Sequence, residues 1–114
     1  MTKRFDVKFL DEALDFLKSL DKKHYEKILY NIRKVQVEND PELFKKLTDE
    51  IWEFRTLYEK LQYRFFAFWD TTSPETLVIS THGIIKKQSK VLDKEIKKAN
   101  QIRIKYFEDK QLNN

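Results

Sequence analysis

The apolar residues of this chain recur with two different periods, and the change from one to the other divides it into elements. In RFDVKFL, Phe5, Val7 and Phe9 alternate with Asp6 and Lys8, the period of a short strand with one buried face. DEALDFLKSL then sets Ala13, Leu14, Leu17 and Leu20 at helical spacing behind Asp11, which reads as an N-cap. DKKHYEKILYNIRKVQVEND repeats the arrangement, with Asp21 ahead of Tyr25, Ile28, Leu29, Ile32 and Val35, so the pair reads as a helical hairpin. Asn39, Asp40 and Pro41 end it, because Asn and Asp favour turns and proline disfavours helical geometry in the residue before it.

After PELFKKLTDE come three aromatic-rich segments, IWEFRTLY, LQYRFFAFWD and TLVISTH, joined by polar links around Glu59 and Lys60 and around TTSPE. They predict an antiparallel meander. In the second, Tyr63, Phe65 and Ala67 share one face and Arg64, Phe66 and Phe68 the other, so both faces need cover. The first two helices can cover one. A last helix, from about Lys90 to Phe107 with Leu92, Ile96, Ala99, Ile102 and Tyr106 inward, can shield part of the other. The expected fold is α+β in a single domain, 1–114. It has an N-terminal strand, a two-helix hairpin, a three-strand meander completing a four-stranded sheet, and a C-terminal helix.

Composition narrows the chemistry. At 114 residues and 40% hydrophobic the chain suffices for one core without a disulfide or metal staple. The absence of cysteine excludes a thiol nucleophile and a thiolate metal site, and two isolated histidines make a poor zinc site. MTKRFDVKFL has no apolar run of the kind found in a signal peptide, and no stretch is long enough to span a bilayer, so a soluble, cytoplasmic protein is expected. Residues 1–70 carry 14 Lys/Arg against 14 Asp/Glu, whereas residues 71–114 carry nine against five. The cationic excess therefore lies in the last third, as a solvated helix face or as a surface that attracts polyanions.

Within that third, STHGIIKKQSK holds the only glycine, His82, and the lysines Lys86, Lys87 and Lys90. Glycine permits a tight turn, so the strand is expected to leave the sheet at Gly83 and present the lysines beyond it. Arg55 and Arg64 sit among Trp52, Phe54, Phe65, Phe66 and Phe68, where a guanidinium must find an anion or keep its head in water. Either Arg64 pairs with a carboxylate such as Glu53 across the sheet, or the two arginines line a groove beside Lys86 and Lys87 and hold a phosphate.

The order of elements, together with KKLTDEIWEFR, YRFFAFWD, THGIIKK and the Ile96/Ala99 helix, resembles the RelE/ParE toxin superfamily, in particular its HigB-like, phage-associated branch. The resemblance covers nearly the whole chain. It implies the toxin of a type II toxin–antitoxin system, a ribosome-dependent mRNA endonuclease that works through the substrate's 2′-hydroxyl with no metal or cofactor. The implied partners are mRNA on the ribosome and a cognate helix-turn-helix antitoxin in a hetero-oligomer, with no membrane involved. The superfamily also contains ParE-like inhibitors that act on gyrase, and a decayed antitoxin-binding module would keep the same pattern. By this resemblance Arg64 contacts the scissile phosphate, Arg55 adds charge, and Lys86 and Lys87 stabilise the transition state and donate a proton. His82 is a candidate acid or base, and Glu53 is either the base or the partner of Arg55. Lys45, Lys46 and Lys90 are candidate RNA contacts.

Overall fold

The ten residues LQYRFFAFWD carry bulky side chains on both sides of a strand, and a strand so built must lie inside a sheet covered on both faces. The computed structural model, which describes residues 2–72, 74–87 and 93–113, has this arrangement. The chain runs β1 (Asp6–Phe9), α1 (Asp11–Lys18), α2 (Lys22–Val37), β2 (Phe44–Lys46), β3 (Trp52–Tyr58), β4 (Leu61–Asp70), β5 (Leu77–Lys86) and α3 (Asp93–Leu112). The sheet order is β1-β5-β4-β3-β2, with β1 parallel to β5 and the other pairs antiparallel.

The two faces of β4 separate the core. Tyr63, Phe65 and Ala67 pack with Ala13 and Leu17 of α1 and with Ile28, Ile32 and Val35 of α2. Phe66 and Phe68 pack with Ile79 and Ala99, the latter from α3 on the opposite side. Phe65, Phe66 and Phe68 are fully buried, each contributing roughly 1.5–3 kcal/mol relative to an exposed ring. Among the described residues no helix is long and apolar enough to cross a membrane.

Several details differ from the expected outline. The sheet has five strands, because Phe44–Lys46 pairs with Trp52–Phe54. Three residues are too few to show a period, and this strand is held by Phe44, whose ring stacks on Phe54 (4.4 Å between centroids) and Trp52 (4.8 Å). Asp11 is the first helical residue of α1 and Leu10 the cap; with Glu12, Asp11 places negative charge at the positive end of the helix. The last helix continues past Phe107 to Leu112, over residues that contain no glycine or proline to stop it. The expected start at Lys90 and the inward Leu92 lie outside the described residues.

The main correction concerns Gly83. The strand does not leave the sheet there: β5 continues to Lys86, and Gly83 has no positive φ. The residue is small because the sheet is crowded at that point. A β-carbon at Gly83 would lie 2.6 Å from Phe16 Cδ2 and 2.8 Å from Phe65 Cε1. The left-handed residues are instead Glu59 and Lys60 (φ 48° and 68°), in the two-residue turn between β3 and β4. Two positive φ angles suit the twist of a hairpin, and here α2 clamps the turn: His24 Nε2 meets Glu59 Oε2 at 3.1 Å, while Nδ1 meets the Tyr63 hydroxyl at 2.8 Å.

Helix α3 buries little of itself, Ala99 being its one buried residue. Half-buried Ile96, Tyr106 and Phe107 pack on the Phe66 and Phe68 cluster, and polar ties add to the hold. The carboxylate of Asp70, fully buried at the end of β4, accepts hydrogen bonds from the Tyr106 hydroxyl (2.5 Å), Lys110 Nζ (2.8 Å) and Thr72. Burial alone would push the Asp70 carboxyl up, but the bonds from Lys110, Thr72 and Tyr106 outweigh it and hold the group well below the usual carboxylate range. The Tyr106 phenol is pushed up to about 12, first by burial and then by Asp70.

Two outcomes are expected. Gly83→Ala should lower stability by about 1–3 kcal/mol through overpacking against Phe16 and Phe65, measured by urea unfolding. For Asp70, a depressed folded value means that its contribution is present above the unfolded carboxylate value of about 4 and disappears as pH falls. For Tyr106, a raised folded value means that its contribution is present below about 10 and disappears as pH rises towards 12. Unfolding across pH should therefore show losses at both ends, and Asp70→Asn should flatten the acid limb.

Candidate functional site

Register decides which charged side chains share a face, and the register changes once. Phe66 is opposite His82 but Ala67 is opposite Ser80, so Thr81 is an extra residue in β5. This β-bulge reverses the in-and-out parity beyond it. Ile79 faces α3, and without the extra residue Thr81, Gly83 and Ile85 would follow it. With the bulge, His82, Ile84 and Lys86 take those places. The Ser80 hydroxyl donates to the Phe66 carbonyl (3.1 Å) where the ladder is interrupted.

The face shared with α3 then reads as three rows across the sheet. His82, Phe66, Glu53 and Lys45 form the first, Ile84, Arg64 and Arg55 the second, and Lys86, Gln62 and Leu57 the third. Four cations, Lys45, Arg55, Arg64 and Lys86, thus surround one carboxylate, Glu53. Glu53 is 3% exposed and so is Arg64. Their facing atoms, Glu53 Oε1 and Arg64 Nε, lie 3.3 Å apart as an ion pair and make no hydrogen bond among the described residues. The other guanidinium nitrogens of Arg64 donate to the Tyr63 carbonyl (3.2 Å) and to Gln62 Oε1 (3.0 Å). Arg55 Nε approaches Glu53 Oε2 at 3.8 Å, with its side chain 28% exposed.

The electrostatics follow from this grouping. Burial pushes the Glu53 carboxyl up, and the charges of Arg64, Arg55, Lys86 and Lys45 pull it back only in part. Burial pushes the Lys86 ammonium down, Arg64 and Arg55 push the same way, and Glu53 opposes them. Burial also lowers Arg64, against the pull of Glu53. A carboxyl moved up and an ammonium moved down on one face are the shifts that acid–base chemistry near neutrality uses. Beside them lies a groove of about 330 Å³ lined by Glu42, Leu43, Arg55, Leu57, Gln62 and Arg64.

The remaining candidates separate from this group. Lys87 is exposed just past the end of β5. Lys46 is opposite Trp52, and so on the other face from Lys45, and pairs with Asp49 at 4.0 Å. Lys90 lies outside the described residues. His82 is 1% exposed and stacks on Phe66 (4.9 Å between centroids). Its Nδ1 meets the Thr81 hydroxyl at 2.9 Å, and its Nε2 meets Glu95 Oε1 on α3 at 3.2 Å. Burial lowers its pKa despite the bond to Glu95. In this position His82 anchors α3. Gln62, Leu57 and Glu42 join the groove without having been singled out in the sequence; the strand alternation that grouped Arg64 with Phe66 extends to Gln62. Among the described residues no three His, Cys, Asp or Glu side chains converge into a metal-binding group.

Removing one member of a buried ion pair leaves the other charge without compensation, at a cost of about 3–5 kcal/mol. Arg64→Ala and Glu53→Gln should therefore each lower the urea midpoint strongly. Arg55→Ala, at a half-buried position, should lower it much less. Equal stability of Arg64→Ala and the parent protein would show that this pair does not hold the face together.

Residues 15–104 match the family described as phage derived protein Gp49-like (DUF891). No curated protein sequence matches the chain. Among solved structures, a chain from the crystal structure of the intact E. coli RelBE toxin-antitoxin complex superimposes with a TM-score of 0.53 at 14% identity, over 74% of this chain and 99% of that one. At that identity the likeness is one of fold. The family match spans most of the sequence, so the protein belongs to the Gp49-like family of phage-derived proteins, with a RelE-like fold.

Proposed function

We propose that this protein is the toxin of a type II toxin–antitoxin pair of the HigB-like kind, acting in the cytoplasm as a ribosome-dependent mRNA endonuclease. The observation that carries the reading is the group of four cations around one buried carboxylate on a single sheet face. One Glu53 cannot neutralise Lys45, Arg55, Arg64 and Lys86, and the surplus suits a phosphodiester. In the reaction the substrate's 2′-oxygen attacks phosphorus, the bond to the 5′-oxygen breaks, and a cyclic phosphate and a 5′-hydroxyl result. The 2′-hydroxyl gives up its proton and the leaving oxygen takes one.

The exposures of the side chains divide the work. Arg55, Lys86 and Lys45 are placed to meet the phosphate and the charge that builds on it in the transition state. Lys86, its ammonium weakened by burial and by the neighbouring guanidinium groups, is the proton donor to the leaving oxygen. Arg64, buried beneath, orients the others through Glu53 and Gln62. Glu53 is too deeply buried to meet a 2′-hydroxyl and serves as their counter-ion. The partner that restrains such a toxin is a cognate helix-turn-helix antitoxin, bound in a hetero-oligomer.

Induced expression should arrest growth and produce new mRNA 5′ ends on translated messages. Arg55→Ala and Lys86→Ala should each reduce cleavage about 100-fold or more while leaving the thermal midpoint close to that of the parent. Growth arrest through gyrase inhibition, with mRNA intact, would reject the nuclease reading.

A further inference from the structure

The groove beside the cation cluster contains more than a phosphate requires. Its volume, about 330 Å³, is at the small end of the range for ligand pockets. Its walls are of two kinds: Arg55 and Arg64 are cationic, while Leu43 and Leu57 are apolar and Glu42 and Gln62 offer hydrogen bonds. Leu57 is 65% exposed and adds a large apolar side chain to a groove lined mainly by charged and polar groups. It stands opposite Gln62, in the same row as Lys86 and one row from Arg55.

Gln62 has a fixed orientation. Arginine has only donors, so the amide must present Oε1 to Arg64, as it does at 3.0 Å. The amide NH₂ is therefore turned away from the guanidinium and has no partner among the described residues. Glu42, also lining the groove, supplies only acceptors when ionised. One groove thus combines an apolar shelf, a donor and an acceptor next to a phosphate-binding group. A nucleobase needs all three, having a flat apolar face and an edge with donors and acceptors.

We propose that this groove is a base subsite: one nucleobase next to the cleaved phosphate lies against Leu57 and Leu43, with its edge read by Gln62 and Glu42. The inference rests on the nuclease reading and deepens it, since a site that seats a base discriminates among sequences, whereas the cations alone do not. Apolar contact of the base with the two leucines supplies binding, and the two polar groups supply preference.

The test uses the full-length protein with labelled leucine methyl groups and arginine side chains, titrated by NMR at low salt with two probes. One is inorganic phosphate. The other is a deoxyribodinucleotide, which has no 2′-hydroxyl and is not cut, prepared with each of the four bases. The dinucleotide should move the methyl signals of Leu57 and Leu43 through the ring current of the base, and phosphate should not. Both probes should move the Arg55 side-chain signal. Leu57→Ala should weaken dinucleotide binding at least threefold and leave phosphate binding unchanged, and Gln62→Ala should alter the order of preference among the four bases. A dinucleotide that moves Arg55 but neither leucine would overturn the base subsite and leave the phosphate site standing. So would equal movement of Leu57 by phosphate. If neither probe moves any of these signals, the base subsite is overturned, while the nuclease reading is decided separately by the mRNA 5′ ends.

Discussion

Once two strands are in register, the side chains that share a face are determined, because alternate residues cannot exchange sides without the whole strand slipping. The candidate site depends on the one place where this chain inserts a residue, Thr81. With the insertion, Lys86 lies across β4 from Leu57, in the same row and on the same side of the sheet as both arginines. Without it, Lys86 would point towards the α1/α2 core and Gly83 would face α3. The crowding of Phe16 and Phe65 around Gly83 is the counterpart of the same slip, since the residue turned towards that core has no room for a side chain.

The buried charges on this face are poor stabilisers. Removing two ions from water costs several kcal/mol each, and their attraction seldom returns more than that. Glu53 and Arg64 lie at ion-pair distance without the alignment of a hydrogen bond, so the pair forgoes part of the gain such burial can bring. An apolar pair would suit the core next to Phe66 at least as well. The arrangement makes sense as a support for chemistry: a carboxylate fixed between guanidinium groups holds them in place, and the excess positive charge around it favours an arriving anion over water.

Much of the fold was legible in the sequence because its main signals are long. The two helices of the hairpin and the alternation of β4 extend over enough residues for a period to stand out, and the assignment of Tyr63, Phe65 and Ala67 to one face and of Phe66 and Phe68 to the other matches the two cores. Strand β2 was hidden because a three-residue strand has no period to read. The bulge was hidden because any residue of Ser80-Thr81-His82 could be the extra one, and only pairing with Phe66 and Ala67 distinguishes them. That ambiguity also obscured the contrast between Lys86 and Lys87 and the reason for Gly83. Both readings of Arg64 were stated from its neighbours, but its 3% exposure is a property of the packed sheet, which no local stretch of sequence records.

Helix α3 closes over the Phe66 and Phe68 side of the sheet with one buried alanine, three half-buried apolar side chains (Ile96, Tyr106 and Phe107) and a handful of polar ties: Asp70 to Tyr106 and Lys110, His82 to Glu95, and Glu12 to Lys98. Helices held in this way open locally at a lower free energy than the strands beneath them. The backbone amides of α3 are expected to exchange faster than those of β4, which is paired on both edges and covered by phenylalanine on both faces. The protein therefore has two levels of stability, and its aromatic core on the far side of the sheet can survive an excursion of α3 that uncovers Phe66, Phe68 and Ile79 to solvent.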